Sequence, residues 1–195
     1  MNAVERALRD FLAVRPPDIA IALVGGLAVS VRAEPRFTRD LDFAVAVAND
    51  DEATQYVFRI RQLGYEIVSA LEQTTHQRLS TMRLRRDGRG PIVDLLFAAS
   101  GIEVEIVQAA EPIEIAGGVI ANVAQVGHLI AMKLVSRDPK RRPRDQQDLV
   151  DLAGVADDRE WRRAEQAIEL IQQRGFSRGR DLRAGLVEIR SLATS

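Results

Sequence analysis

The sequence predicts an α/β (α+β) fold in which a mixed central sheet is flanked by helices and followed by a helical C-terminal region. Three observations carry this. Ile19–Val24 is an unbroken apolar run, the pattern of a strand covered on both faces. Leu41–Val47 and Ile92–Phe97 are similar runs, each interrupted by one acid, Asp42 and Asp94. From Gln125 onward apolar residues recur only at helical spacing. The chain is therefore expected to divide into a core over residues 1–124 and a helical region over 125–195 that packs on the core and completes its site.

The elements follow in order. Val4, Ala7, Leu8, Phe11 and Leu12 predict a helix over 3–13, ended by Pro16-Pro17. Gly25-Gly26 turns the first strand into a short helix through Leu27, Val29 and Val31. Pro35 breaks the chain before the second strand. Asp50–Leu63 reads as a helix with Val57, Ile60 and Leu63 inward, Asp50 or Asp51 near its start and Gly64 after its end. Strands are expected over Tyr65–Leu71 and Arg78–Arg85, with a polar loop at Gln73–His76 and a turn at Asp87-Gly88 and Gly90. His76 reads as a surface histidine, because no second histidine lies at metal-ligand spacing. Glu103 and Glu105 alternate on the segment after the third apolar run. Residues 112–123 suggest a hairpin about Gly117-Gly118. An amphipathic helix through Val126–Leu134, one containing Arg144–Leu149, and two over about 158–174 and 179–192 complete the chain. Trp161, Ala164, Ile168, Ile171, Leu182, Leu186 and Ile189 are their core positions.

Composition excludes several classes. The 195 residues are 46% hydrophobic and 28% charged, the balance of a globular protein. With no cysteine there is no disulfide and no thiolate metal site. No apolar run reaches the roughly 20 residues that span a bilayer, and the N-terminus lacks a signal pattern. A cytoplasmic protein with no membrane partner is expected. The net charge of −1 demands no nucleic acid, yet two stretches are locally basic. These are Arg78, Arg83, Arg85, Arg86 and Arg89, then Lys133, Arg137, Lys140, Arg141, Arg142 and Arg144. Each suits RNA phosphates or a solvated face equally well.

The chemistry gathers at Gly25-Gly26 and at Arg36-Phe37-Thr38-Arg39-Asp40-Leu41-Asp42. Side chains alternate along a strand, so Asp40 and Asp42 project to one face. Adjacent carboxylates repel unless a cation lies between them. A Gly-Gly pair opening a helix admits a phosphate to backbone N–H groups, although it serves close helix–strand packing as well. A phosphate seat beside a divalent-metal seat suggests nucleotide chemistry. Asp94, alone in its apolar run, needs a partner, and an arginine or a shared metal would serve. Lys133 falls near the apolar side of its helix. There it either snorkels to the surface or aims at a bound triphosphate. Asp145 and Asp148 stand three apart on one helical face, and Asp145 could cap or pair with Arg141 or Arg142.

Together Gly25-Gly26 and Arg36-x-Thr38-x-Asp40-Leu41-Asp42 resemble the signature of nucleotidyltransferases with the DNA-polymerase-beta-type fold. Ala131-Met132-Lys133-Leu134 and Arg144-Asp145-Gln146-Gln147-Asp148 narrow the likeness to AbiEii/AbiGii-type toxins, including the MenT-like toxins. Arg144 stands where that family usually has lysine. The resemblance implies a nucleotidyltransferase fold and a toxin of a type IV-like toxin–antitoxin system. It would move a nucleoside monophosphate from an NTP to RNA, in particular a tRNA 3′ end. A small molecule or a protein hydroxyl is the alternative acceptor. It implies Mg2+ or Mn2+ on Asp40, Asp42 and Asp94, with Glu103 or Glu105 as the other candidates for the third carboxylate. Asp94 could instead be the general base. It implies phosphates held by Gly25, Gly26 and Thr38, charge neutralised by Lys133, Arg36 or Arg39, and Asp145 orienting Lys133 or the nucleotide. It further implies a cognate antitoxin, in some relatives kinase-like, for which the Thr38 hydroxyl is a candidate phosphorylation site.

Overall fold

The structure is a computed structural model that describes residues 2–73, 76–137 and 143–193. Helix α1 (Ala3–Val14) starts at a capping box. Asn2 accepts from the Glu5 backbone N–H, and the Glu5 carboxylate accepts from that of Asn2. Its stripe of Val4, Leu8 and Phe11 is buried, and Phe11 stacks on Phe43 at 4.9 Å between centroids. Strand β1 (Ile21–Val24) runs directly into α2 (Gly25–Arg32), and β2 (Leu41–Val45) returns antiparallel to β1. Helix α3 (Asp50–Gln62) is capped by Asn49, with Asp50, Asp51 and Glu52 in its first turn, where the helix dipole favours acids. It buries Ala53, Tyr56, Val57 and Ile60. Leu63, expected inward, lies past the helix end and is exposed, because the chain has already left the helical path.

Strands β3 (Tyr65–Gln73) and β4 (Arg78–Arg86) form a hairpin, and β5 (Ile92–Leu96) is antiparallel to β4 and parallel to β2. Thr74 and Thr75 of the expected polar loop lie outside the described residues; His76 is exposed and stacks on Phe176 at 4.4 Å. The segment with Glu103 and Glu105 is helix α4 (Glu103–Ala109). The Glu103 carboxylate fixes its start by accepting from the backbone N–H groups of Ala99, Ser100 and Gly101 and from the Ser100 hydroxyl. Strands β6 (Glu111–Ala116) and β7 (Val119–Val123) make the expected hairpin, and β7 adds to β1 in parallel. The result is one mixed seven-stranded sheet in the order β3-β4-β5-β2-β1-β7-β6.

Helices α5 (Val126–Ser136), α6 (Pro143–Val155), α7 (Asp158–Gln173) and α8 (Leu182–Ala193) follow the sheet. A Cβ on Gly127 would lie 2.3 Å from the Glu160 carbonyl oxygen, so only glycine lets α5 and α7 approach this closely. Helix α2 touches both α5 and α6, which brings the end of β1 against the helical region. All seven core positions expected on the last two helices are buried. Among the described residues no helix is long and apolar enough to cross a membrane.

Candidate active site

The sheet register lines up the acids. Asp42 on β2 faces Val24 on one side and Asp94 of β5 on the other. Directly opposed residues share a face, so Asp42 and Asp94 project together, away from the Phe43 face on which α1 packs. On the next strand Arg83 is the register partner of Asp94. Its Nε and Nη2 donate to the two carboxylate oxygens at 2.9 and 2.7 Å. Of the two partners that the sequence allowed for Asp94, the described residues supply the arginine.

Gly25 stands against this row. Its φ is +65°, and a Cβ there would lie 2.0 Å from Asp42 Oδ2. Only glycine allows the carboxylate to lie on the first turn of α2. Burial pushes the Asp42 carboxyl up to about 7, with the charges of Asp94 and Asp40 adding to the effect and Lys133 and Arg83 opposing it. A cleft of about 270 Å³ opens here, lined by Gly25, Gly26, Asp42, Asp94, Arg83 and Lys133 among others. Ser80 and Thr81 of β4, Ser100, and Arg178 beyond α7 complete its polar wall.

Lys133 neither snorkels nor stands free. Its ammonium donates to Asp145 Oδ1 at 2.7 Å and meets Asp148 Oδ2 at 2.6 Å. Asp148 is 1% exposed and also binds Arg36, whose Nη2 donates to Oδ2 at 2.8 Å. The pairing of Asp145 with Arg141 or Arg142 falls on residues outside the described ones, as does Lys140 of the same basic stretch.

The other expected site residues are placed around this centre. Arg36 and Thr38 close on Gly26 from outside the cleft, within 2.8 and 3.1 Å of where its Cβ would be. They line a neighbouring cavity with Leu27, Ser30 and Pro35. The Thr38 hydroxyl donates to the Asp40 carbonyl at 3.4 Å. Asp40 is half-buried at the head of β2, and Arg39 is exposed over the Phe37 ring. Glu103 spends its carboxylate on the α4 start, and Glu105 pairs with Arg174 at 2.6 Å. Of the first basic stretch, Arg78 and Arg86 pair with Asp50 and Asp10, and Arg83 with Asp94. Arg137 of the second pairs with Glu188.

Among the described residues no three of His, Asp and Glu converge into a protein cage for a metal. Asp40 and Asp42 nevertheless make no side-chain hydrogen bond or ion pair among the described residues. Two unpartnered carboxylates, one held on the first turn of a helix and pushed toward protonation, fit a hard cation of the Mg2+ kind. Such ions take one or two carboxylates and complete their shell with water and substrate phosphates.

The comparison with curated proteins gives no significant match. Solved structures that resemble the chain include an H. pylori protein assigned as a nucleotidyltransferase, at 17% identity and a TM-score of 0.44, covering 98% of this chain and 90% of that one. They also include MenT4, a nucleotidyltransferase toxin from Mycobacterium tuberculosis H37Rv, at 14% identity and a TM-score of 0.40, covering 99% of this chain and 92% of that one. The family model described as nucleotidyl transferase AbiEii toxin, type IV toxin–antitoxin system, matches residues 6–194. That match spans nearly the whole chain, which therefore belongs to the AbiEii nucleotidyltransferase toxin family.

Proposed function

We propose that this nucleotidyltransferase is a metal-dependent toxin that transfers a nucleoside monophosphate from an NTP to RNA, with the tRNA 3′ end as acceptor. One observation carries the reading: Asp42 and Asp94 stand in register beside the Gly25-Gly26 start of α2, with Lys133 in the same cleft. Asp40 and Asp42 would hold Mg2+ or Mn2+, which when bound supplies positive charge at the triphosphate. The N–H groups at the start of α2 and the helix dipole receive phosphate oxygens. Lys133, held by Asp145 and Asp148, faces the charge that grows on the leaving pyrophosphate. The acceptor hydroxyl forms a bond to the α-phosphorus as the bond to the β-phosphate oxygen breaks. Its proton passes to solvent, and pyrophosphate leaves. Arg36 and Thr38 support the phosphate seat from behind Gly26, and Arg39 stands at the rim.

Membership of a type IV toxin–antitoxin family implies an antitoxin partner. Thr38 is the hydroxyl through which a kinase-like partner would act. A phosphate there adds about −1.5 to −2 charges beside Asp40 and Gly26, against an incoming triphosphate. Cytoplasmic action follows if tRNA is the acceptor.

A specific observation keeps the second acceptor class in view. Arg78, Arg83, Arg86 and Arg137 are all engaged by acids, which leaves less free positive surface for RNA than the sequence suggests. The test is incubation with Mg2+ and total tRNA, with each α-labelled NTP in turn. Label on the tRNA 3′ end, absent with Asp40→Ala/Asp42→Ala protein, supports the reading. Label that moves only when a small alcohol or a protein is supplied assigns the alternative.

A further inference from the structure

We infer that Arg83 takes the place of a second cation in this site, so that the centre binds one divalent ion and Asp94 positions the guanidinium instead of ligating metal. The inference rests on the nucleotidyl-transfer reading above and gives Asp94 a task other than the metal ligand or general base that the sequence resemblance implies.

The backbone carries the first part of the argument. Arg83, Asp94 and Asp42 are consecutive register partners across β4, β5 and β2, so all three side chains stand in one row on one face. Position 83 is therefore presented on the face that carries Asp94. The contact is a two-point fork, with Nε and Nη2 each on its own oxygen at 2.9 and 2.7 Å. This is the strongest and most directional pairing an arginine makes with a carboxylate. Asp94 is 5% exposed, with the guanidinium covering the oxygens that it turns to the cleft.

Charge carries the second part. Asp40, Asp42 and Asp94 bring three negative charges. One divalent ion balances Asp40 and Asp42, and Arg83 balances Asp94. Lys133 also acts on Asp42 from across the cleft, but its own charge is already met by Asp145 and Asp148. Guanidinium stays protonated at any working pH, and so cannot yield its place by losing a proton. A second divalent ion at Asp94 would have to expel it or sit beside it. Unlike a metal, this cation comes with the chain and lines the cleft beside the helix start where phosphates would lie.

The test counts bound Mn2+ by the electron paramagnetic resonance of the free ion. The full chain is held in excess over an NTP analogue whose α–β bridge cannot be cleaved. Wild-type protein is expected to hold one Mn2+ per bound nucleotide, Arg83→Ala two, and Arg83→Lys one. Asp94→Asn leaves the count at one. Two ions on the wild-type complex, or a count that Arg83→Ala does not raise, overturns the inference. Should Arg83→Ala fail to fold, the wild-type count and the Asp94→Asn count still decide. Failure of the underlying reading looks different: Mn2+ would be held no more tightly by the wild-type complex than by Asp40→Ala/Asp42→Ala protein.

Discussion

Arg36 and Asp148 lie 112 residues apart and meet at two points, Nη2 to Oδ2 at 2.8 Å and Nε to Oδ1 at 2.7 Å. The same carboxylate receives Lys133 at 2.6 Å. Asp148 thus ties the segment behind the phosphate seat to the helix that carries the cleft's lysine. Removing it leaves Arg36 without its acid beside a Lys133 that keeps only Asp145. Asp148→Ala is expected to cost about 3 kcal/mol, the low end for breaking a buried pair, since both cations keep some reach to water. Urea denaturation measures it, and a loss under about 1 kcal/mol would show that the pair is idle.

Gly25 carries a different kind of demand. Gly25→Ala places a methyl where Asp42 Oδ2 lies, at a φ of +65°. Either the carboxylate moves or the first turn of α2 does. A displacement of about 1 Å at a reacting centre costs about 100-fold in rate, so transfer is expected to fall at least that far. Circular dichroism should show the fold retained. Transfer within threefold of wild type would mean that Asp42 need not lie on the turn.

The pH dependence follows from Asp42. Its carboxyl is raised from 3.8 in the unfolded chain to about 7 in the folded one, chiefly through burial. Between those values the unfolded chain has released the proton and the folded chain keeps it. Without metal, stability is therefore expected to fall as pH rises through this window and to level off above it. Asp42→Asn removes that slope and should melt higher than wild type at pH 7.5 in chelator. Metal binding runs the other way. It needs the ionised carboxylate, so affinity should rise with pH up to about 7 with a proton released on binding. A wild-type slope identical to that of Asp42→Asn would remove this account.

Much of this site is legible in the sequence, because its signals are local. The two-aspartate approach to β2, the lone acid in β5 and the Gly-Gly helix start each lie within a few residues. What the sequence hides is long-range pairing. Arg83 is one of five arginines in its stretch, and only the register of β4 on β5 singles it out for Asp94. Arg36 finds Asp148 only once α6 packs on α2. The start of α4 is hidden for a related reason: only in the fold does Glu103 turn back on three preceding N–H groups. Leu63 has an inward phase on α3 but falls one residue beyond it.

Glu103 gives a test that separates structure from chemistry. Burial pushes its carboxyl up, against four hydrogen bonds from Ala99, Ser100 and Gly101 that favour the charged form. Glu103→Ala leaves those donors unmet and is expected to cost about 3 kcal/mol. At a temperature where the variant is folded, its Mn2+ count per nucleotide should equal that of wild type. A lost ion would return Glu103 to the metal site.

The most direct test of the central claim compares α-labelled with γ-labelled NTP in the presence of Mg2+ and total tRNA. Nucleotidyl transfer predicts that α-label appears on the acceptor while γ-label leaves as pyrophosphate, and that Asp40→Ala/Asp42→Ala protein does neither. Transfer of γ-label, or no label on any acceptor from any NTP, would contradict it.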